Sequence, residues 1–167
     1  MAAEDEVYEE RVSFLFNIRV PMWRYVLCVW LIAFVPSVAI SGILVATGVI
    51  GEETDLELGG FGPVIDFVLI VAVSPIIETL LLSVILRLLS LVTKARYSLA
   101  VMSCVVWAGM HSLASPAWGI VVAWPFFVFS CAYLAWRRKS WWHAVAAACL
   151  IHMLQNLLPG FAIALTG

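Results

Sequence analysis

The chain has 167 residues, 64% of them hydrophobic and 12% charged, with a mean hydropathy of +1.06. Soluble domains run nearer half apolar and a quarter charged, so a water-soluble globule is excluded. Nine Lys and Arg against 11 Asp and Glu leave a net charge of -2, too little basic surface to neutralise a nucleic-acid backbone, and the length suits one small polytopic membrane domain with no sizeable extra domain.

Residues 1–20 open on an acidic tail (Glu4, Asp5, Glu6, Glu9, Glu10) that turns into a short amphipathic stretch, Val12 to Val20. A mobile end leading into an interfacial segment is expected there. Residues 21–167 form the membrane domain. It carries five apolar runs: Trp23 to Thr47, Pro63 to Val92, Tyr97 to Leu113, Ala117 to Trp136, and Trp141 to about Leu158. A helix is the only open-chain form that satisfies its own backbone in lipid. The first run exceeds the apolar core of a signal peptide and is read as a retained helix. The second is too long for a perpendicular crossing and is expected to tilt, protrude or bend at Pro75, which removes one donor and frees the carbonyl of Val71.

All nine basic residues fall at one set of helix ends. Arg11, Arg19 and Arg24 precede the first run, Arg87, Lys94 and Arg96 surround the second junction, and Arg137, Arg138 and Lys139 separate the last two runs. The acidic segment with Glu52, Glu53, Asp55 and Glu57 lies on the other side. The positive-inside rule then predicts an all-α bundle of about five transmembrane helices, N-terminus cytoplasmic and C-terminus extracytoplasmic. Trp23, Trp136, Trp141 and Trp142 flank the basic clusters as an inner aromatic belt would. The four cysteines, Cys28, Cys104, Cys131 and Cys149, all sit in apolar runs without a CxxC pair, and are expected to behave as small hydrophobes.

Against this background the polar residues inside the runs stand out. An ionised carboxylate at mid-membrane costs ~2.5 kcal/mol or more, so Glu78 needs a partner. At 1.5 Å per residue, Glu78, His111 and Asn156 lie about 21 Å or 22 Å from the basic ends of their helices and His152 about 16 Å. Four polar groups from three helices thus share one level in the middle to outer half of the bilayer. His152 and Asn156 are i and i+4, as are Trp107 and His111, so each pair presents one face. A carboxylate facing imidazoles can divide the labour of hydrolysis: one group takes a proton from water while others donate to the oxyanion and protonate the leaving amine. Asp66, near the outer end of its helix, is read as a structural residue favoured by the helix dipole.

Ser74-Pro75-Ile76-Ile77-Glu78-Thr79, Trp107 to His111, and His152 to Asn156 together resemble the EExxxR, FxxxH and HxxxN/D motifs of the CPBP family. These are the CAAX protease and bacteriocin-processing (Abi) intramembrane endopeptidases, of glutamic type. The resemblance covers residues 74–156, in the family's order. It implies that Glu78 and His111 activate water, that His152 and Asn156 stabilise the oxyanion, and that the substrate is a membrane-anchored peptide or protein. It also implies residence in the inner membrane of a bacterial or archaeal cell. Thr79 replaces the second Glu of the first motif and Ser83 its Arg.

Trp107 is a candidate wall of the substrate site. No cofactor is expected, since the HExxH zinc signature is absent; were zinc bound, Glu78, His111 and His152 would be its three ligands. Two alternatives accompany the peptidase reading. One is a catalytically inactive family member acting as a membrane binding or immunity protein, favoured by the changes at Thr79 and Ser83. The other is a small proton-linked transporter using Glu78 and the histidines as a relay.

Overall fold

The computed structural model describes residues 14–50 and 60–166. The acidic tail, Arg11, and the acidic segment of residues 52–57 lie outside the described residues. The described chain is all helix and turn, with no strand among the described residues. A 3-10 turn, Phe14–Phe16, leads into α1, Met22–Ala46. Next comes α2, Pro63–Leu89, interrupted by a π turn at Leu69–Val73. The remaining helices are α3, Arg96–Ser112, α4, Pro116–Trp136, α5, Trp141–Gln155, and α6, Leu157–Thr166.

Each boundary has a local cause. Pro63 and Pro116 open α2 and α4 at first-turn positions, where a missing N–H costs nothing. The Ser140 hydroxyl accepts the His143 N–H at 3.2 Å and caps α5.

Four helical stretches are long and apolar enough to cross a membrane: α1, α2, α4, and α5 continued into α6. At 17 residues α3 is about 25 Å long, shorter than any of these four stretches. In α4, 56% of the span is buried, against 22% to 28% in the other three, so α4 is the axis around which they pack. Its Phe126, Phe129, Tyr133 and Trp136 all face inward. Val35, Val105 and Leu88, by contrast, lie 59% to 64% exposed on the outside, as residues facing lipid tails would be.

Of the amphipathic stretch before α1, the described residues 14–20 pack in part against the bundle. Phe16 is fully buried, edge-on to Tyr97 at 5.1 Å and beneath the Arg96 guanidinium at 5.7 Å. The Tyr25 hydroxyl donates to the Leu15 carbonyl, and the Tyr25 ring meets Trp136 at 5.5 Å. Trp136 is therefore a core residue, 1% exposed, with Lys139 over its face at 4.4 Å. Of the expected aromatic belt, Trp23 and Trp142 do lie outside, at 61% and 74% exposure. None of the four cysteines, all among the described residues, forms a disulfide.

Proline sets the internal hydrogen bonding. In α1, Pro36 has no N–H to give the Ile32 carbonyl four residues earlier. Trp124 of α4 supplies the donor instead, its indole N–H reaching Ile32 O at 2.8 Å. Trp124→Phe keeps an aromatic ring and removes that donor, leaving a buried carbonyl unpaired. The unfolding midpoint in micelles is expected to drop by the equivalent of ~1 kcal/mol; an unchanged midpoint would mean the carbonyl finds another partner.

Candidate functional site

Glu78 from α2, His111 from α3, and His152 with Asn156 from α5 and its end line one cavity of about 390 Å³. Ser74, Asp66, Trp118 and Phe126 line it too. Its position follows from the α2 backbone. Within the π turn the Ser74 N–H bonds to Leu69 O, and the next donor in that register belongs to residue 75, a proline. The carbonyl left over is that of Ile70, one residue before the Val71 expected from uniform α geometry. Asn156 fills the gap, its Nδ2 donating to Ile70 O at 3.0 Å.

The π turn also rotates the start of α2. Asp66 and Glu78, twelve positions apart, would stand about 120° apart around a uniform α-helix. A π turn inserts one residue without adding a turn. The separation then behaves as eleven residues, close to three full turns, and both carboxylates come to the same cavity. Asp66 Oδ2 accepts the Gly60 N–H at 3.2 Å, which suits the structural role expected of it, while Oδ1 has no hydrogen-bond partner among the described residues.

Glu78 is held from two sides. The Ser74 hydroxyl, one turn earlier, donates to Oε1. His152 Nε2 stands 3.8 Å from Oε2, beyond a hydrogen bond and at a distance that a small movement or a bridging water closes. The Glu78 side chain is 22% exposed and that of His152 6%, so the carboxylate faces the void and the imidazole is set into its wall. His152 stacks on Phe129 at 4.6 Å and meets Phe126 edge-on at 5.4 Å. Phe126 and Phe129 thereby limit the ring's rotation.

His111 is oriented through its own helix. Its Nδ1 lies 2.9 Å from the Trp107 carbonyl. A carbonyl only accepts, so Nδ1 carries a proton, and in the neutral ring Nε2 has the lone pair. Trp118 packs edge-on to this ring at 4.8 Å. Trp107 itself does not line the cavity. It is 2% exposed and stacked on Phe126 at 4.2 Å, so its contribution is the carbonyl that holds His111, and the aromatic wall is Trp118. Thr79 is buried within hydrogen-bonding reach of Cys149, and the Ser83 hydroxyl bonds to Leu80 O at 2.7 Å; neither lines the cavity.

No family model, curated protein or solved structure matches the chain, and the chemistry open to the site follows from its own side chains. Among the described residues no three of His, Cys, Asp and Glu stand close enough together to hold a metal ion, so Glu78, His111 and His152 do not form a ready-made zinc site in this arrangement. They do offer a carboxylate base, an imidazole lone pair, and a second imidazole beside the carboxylate.

Ser74, Asp66 and Trp118 are the site residues that sequence reasoning passed over. Ser74 had a usable signal, the i, i+4 spacing to Glu78. The other two depend on the π turn and on how α4 is rotated. For Asn156, Asn156→Ala is expected to lower the unfolding midpoint by the equivalent of ~1 kcal/mol, because Ile70 O loses its donor. Scanning calorimetry or denaturant unfolding in micelles would check this, and a midpoint within error of the parent protein would remove Asn156 as the anchor of the π turn.

Proposed function

We propose that this chain is an intramembrane endopeptidase that hydrolyses a peptide bond in a membrane-tethered peptide or protein. The observation that supports this most directly is the Glu78 carboxylate, held by Ser74 and facing His152, in a cavity that His111 and Asn156 also line. An acid kept inside an apolar bundle beside two imidazoles suits proton transfer to and from water.

In the proposed reaction, Glu78 takes a proton from a water molecule that also donates to His111 Nε2, and the water oxygen attacks the scissile carbonyl carbon. Negative charge develops on the carbonyl oxygen, where His152 and the second N–H of the Asn156 amide donate. The proton on Glu78 passes to the leaving nitrogen as the C–N bond breaks, which restores the carboxylate.

The orientation proposed is N-terminus cytoplasmic and C-terminus extracytoplasmic, with five crossings that include α3 and residence in a bacterial or archaeal inner membrane. All eight described basic residues lie at the end of the bundle opposite the cavity, which favours that orientation. The cavity includes Phe61, 72% exposed, beside Asp66 at the outer start of α2. Access from the extracytoplasmic side, by a sorting or leader segment, fits this placement.

The second reading is an inactive relative that binds a membrane partner. It draws support from Thr79, whose buried side chain brings no second acid to Glu78.

Glu78→Gln removes the base while keeping shape and volume. It is expected to reduce cleavage by 10²-fold or more with normal expression. Comparing the N-termini of membrane proteins from cells producing the parent chain or the Glu78→Gln variant tests this whatever the substrate is. Termini present only with the parent chain are expected; identical sets would overturn the peptidase reading. His111→Ala is expected to behave like Glu78→Gln in the same comparison.

A further inference from the structure

A second cavity, of about 670 Å³, opens at the basic end of the bundle between α2, α4 and the start of α5, and Glu78 does not line it. Arg87 and Arg137 line it from two different helices, with Ser83, Ser90, Tyr133 and Trp141, and the rest of its wall is aliphatic. Tyr133 is 5% exposed, and its hydroxyl lies within hydrogen-bonding reach of Ser83, Arg137 and Trp141. This tyrosine therefore ties three helices together and steadies one of the two guanidinium groups.

No carboxylate lines this cavity. The described residues contain two, Asp66 and Glu78, and both belong to the other one. Both arginines are exposed and stand at the rim of this partly apolar cavity, where an anion between them would offset their like charge. Guanidinium forks match the oxygens of a phosphate, and hydroxyl and indole donors can complete its coordination. The aliphatic wall disfavours a fully hydrated ion and favours an anion carrying hydrocarbon. Other cations at this end are placed differently: Arg24 lies over the Trp23 ring at 5.1 Å and Lys139 over Trp136 at 4.4 Å, and neither lines the cavity.

We propose that the cavity between Arg87 and Arg137 binds a phosphate group, supplied by the headgroup of an anionic glycerophospholipid. The cytoplasmic leaflet offers such headgroups at the depth where basic residues collect. Binding here is independent of the proposed peptidase chemistry, and the test below reads lipid retention rather than cleavage.

The test is native mass spectrometry of the full chain released from micelles that contain phosphatidylglycerol or phosphatidylcholine. One retained phosphatidylglycerol is expected, with little phosphatidylcholine. The Arg87→Gln/Arg137→Gln pair is expected to lower phosphatidylglycerol retention about ten-fold or more. The Arg24→Gln/Lys139→Gln pair removes the same charge outside the cavity and is expected to leave retention unchanged. Tyr133→Phe preserves every charge and is expected to weaken retention by a smaller factor, which keeps the test open if the double Gln variant does not fold. Equal retention of the two lipids, or equal loss in both charge pairs, would overturn the proposal. A further arm adds inorganic phosphate: displacement of the lipid by phosphate assigns the site to the soluble anion, and retention in its presence assigns it to the headgroup with its chains attached.

Discussion

A carbonyl without a donor inside hydrocarbon is the constraint on which the rest of this structure turns. Water cannot reach it, so each such group must be met by protein. Three prolines stand inside the long helices, Pro36 in α1, Pro75 in α2 and Pro125 in α4, and at the first two a side chain distant in sequence supplies the missing donor: Trp124 on Ile32 O and Asn156 on Ile70 O. Both bonds join elements distant in sequence, and both fix how one helix is rotated against another. The second lies at the candidate site. The same proline and π turn that leave Ile70 O open bring Asp66 around to the cavity, and Asn156 then locks α2 to the end of α5.

Close packing around that lock depends on a missing side chain. Gly160 of α6 lies where a Cβ would run into Val71 of the π turn and approach Phe67 at 3.5 Å, while the Phe67 and Phe161 rings meet at 4.8 Å. The π turn is thus held from α5 by a hydrogen bond and from α6 by contact. Gly119 plays a similar part at the α3–α4 turn, where a Cβ would come 2.5 Å from Ala108 O. Rigid support of this kind gives the polar groups defined positions.

The two ends of the molecule have opposite chemistry. Described acids and the histidines His111 and His152 belong to the Glu78 cavity, whereas the described arginines and lysines and His143 gather at the other end. In a low-dielectric bundle this separation keeps Glu78 from being neutralised by an arginine. Its polar neighbours are Ser74 and His152, which leave the carboxylate able to exchange a proton.

Much of this was legible in the chain itself. Hydropathy placed α1 to α4 and the start of α5 within a few residues of their ends, because lipid demands long uninterrupted apolar runs, whereas α6, Leu157–Thr166, extends beyond the expected last run. The rise of a helix put Glu78, His111, His152 and Asn156 at one level, and they do share a cavity. Rotation about the helix axes was another matter. That Ser74 and His152 flank Glu78, that Trp118 and not Trp107 walls the site, that Asn156 spends one N–H on Ile70 O, and that Asp66 reaches the cavity were all decided by tertiary packing. Spacing along a uniform helix sets depth, but a single inserted residue at a π turn and the donor owed to a proline carbonyl set which way each side chain faces, and neither can be read until the neighbouring helix is in place.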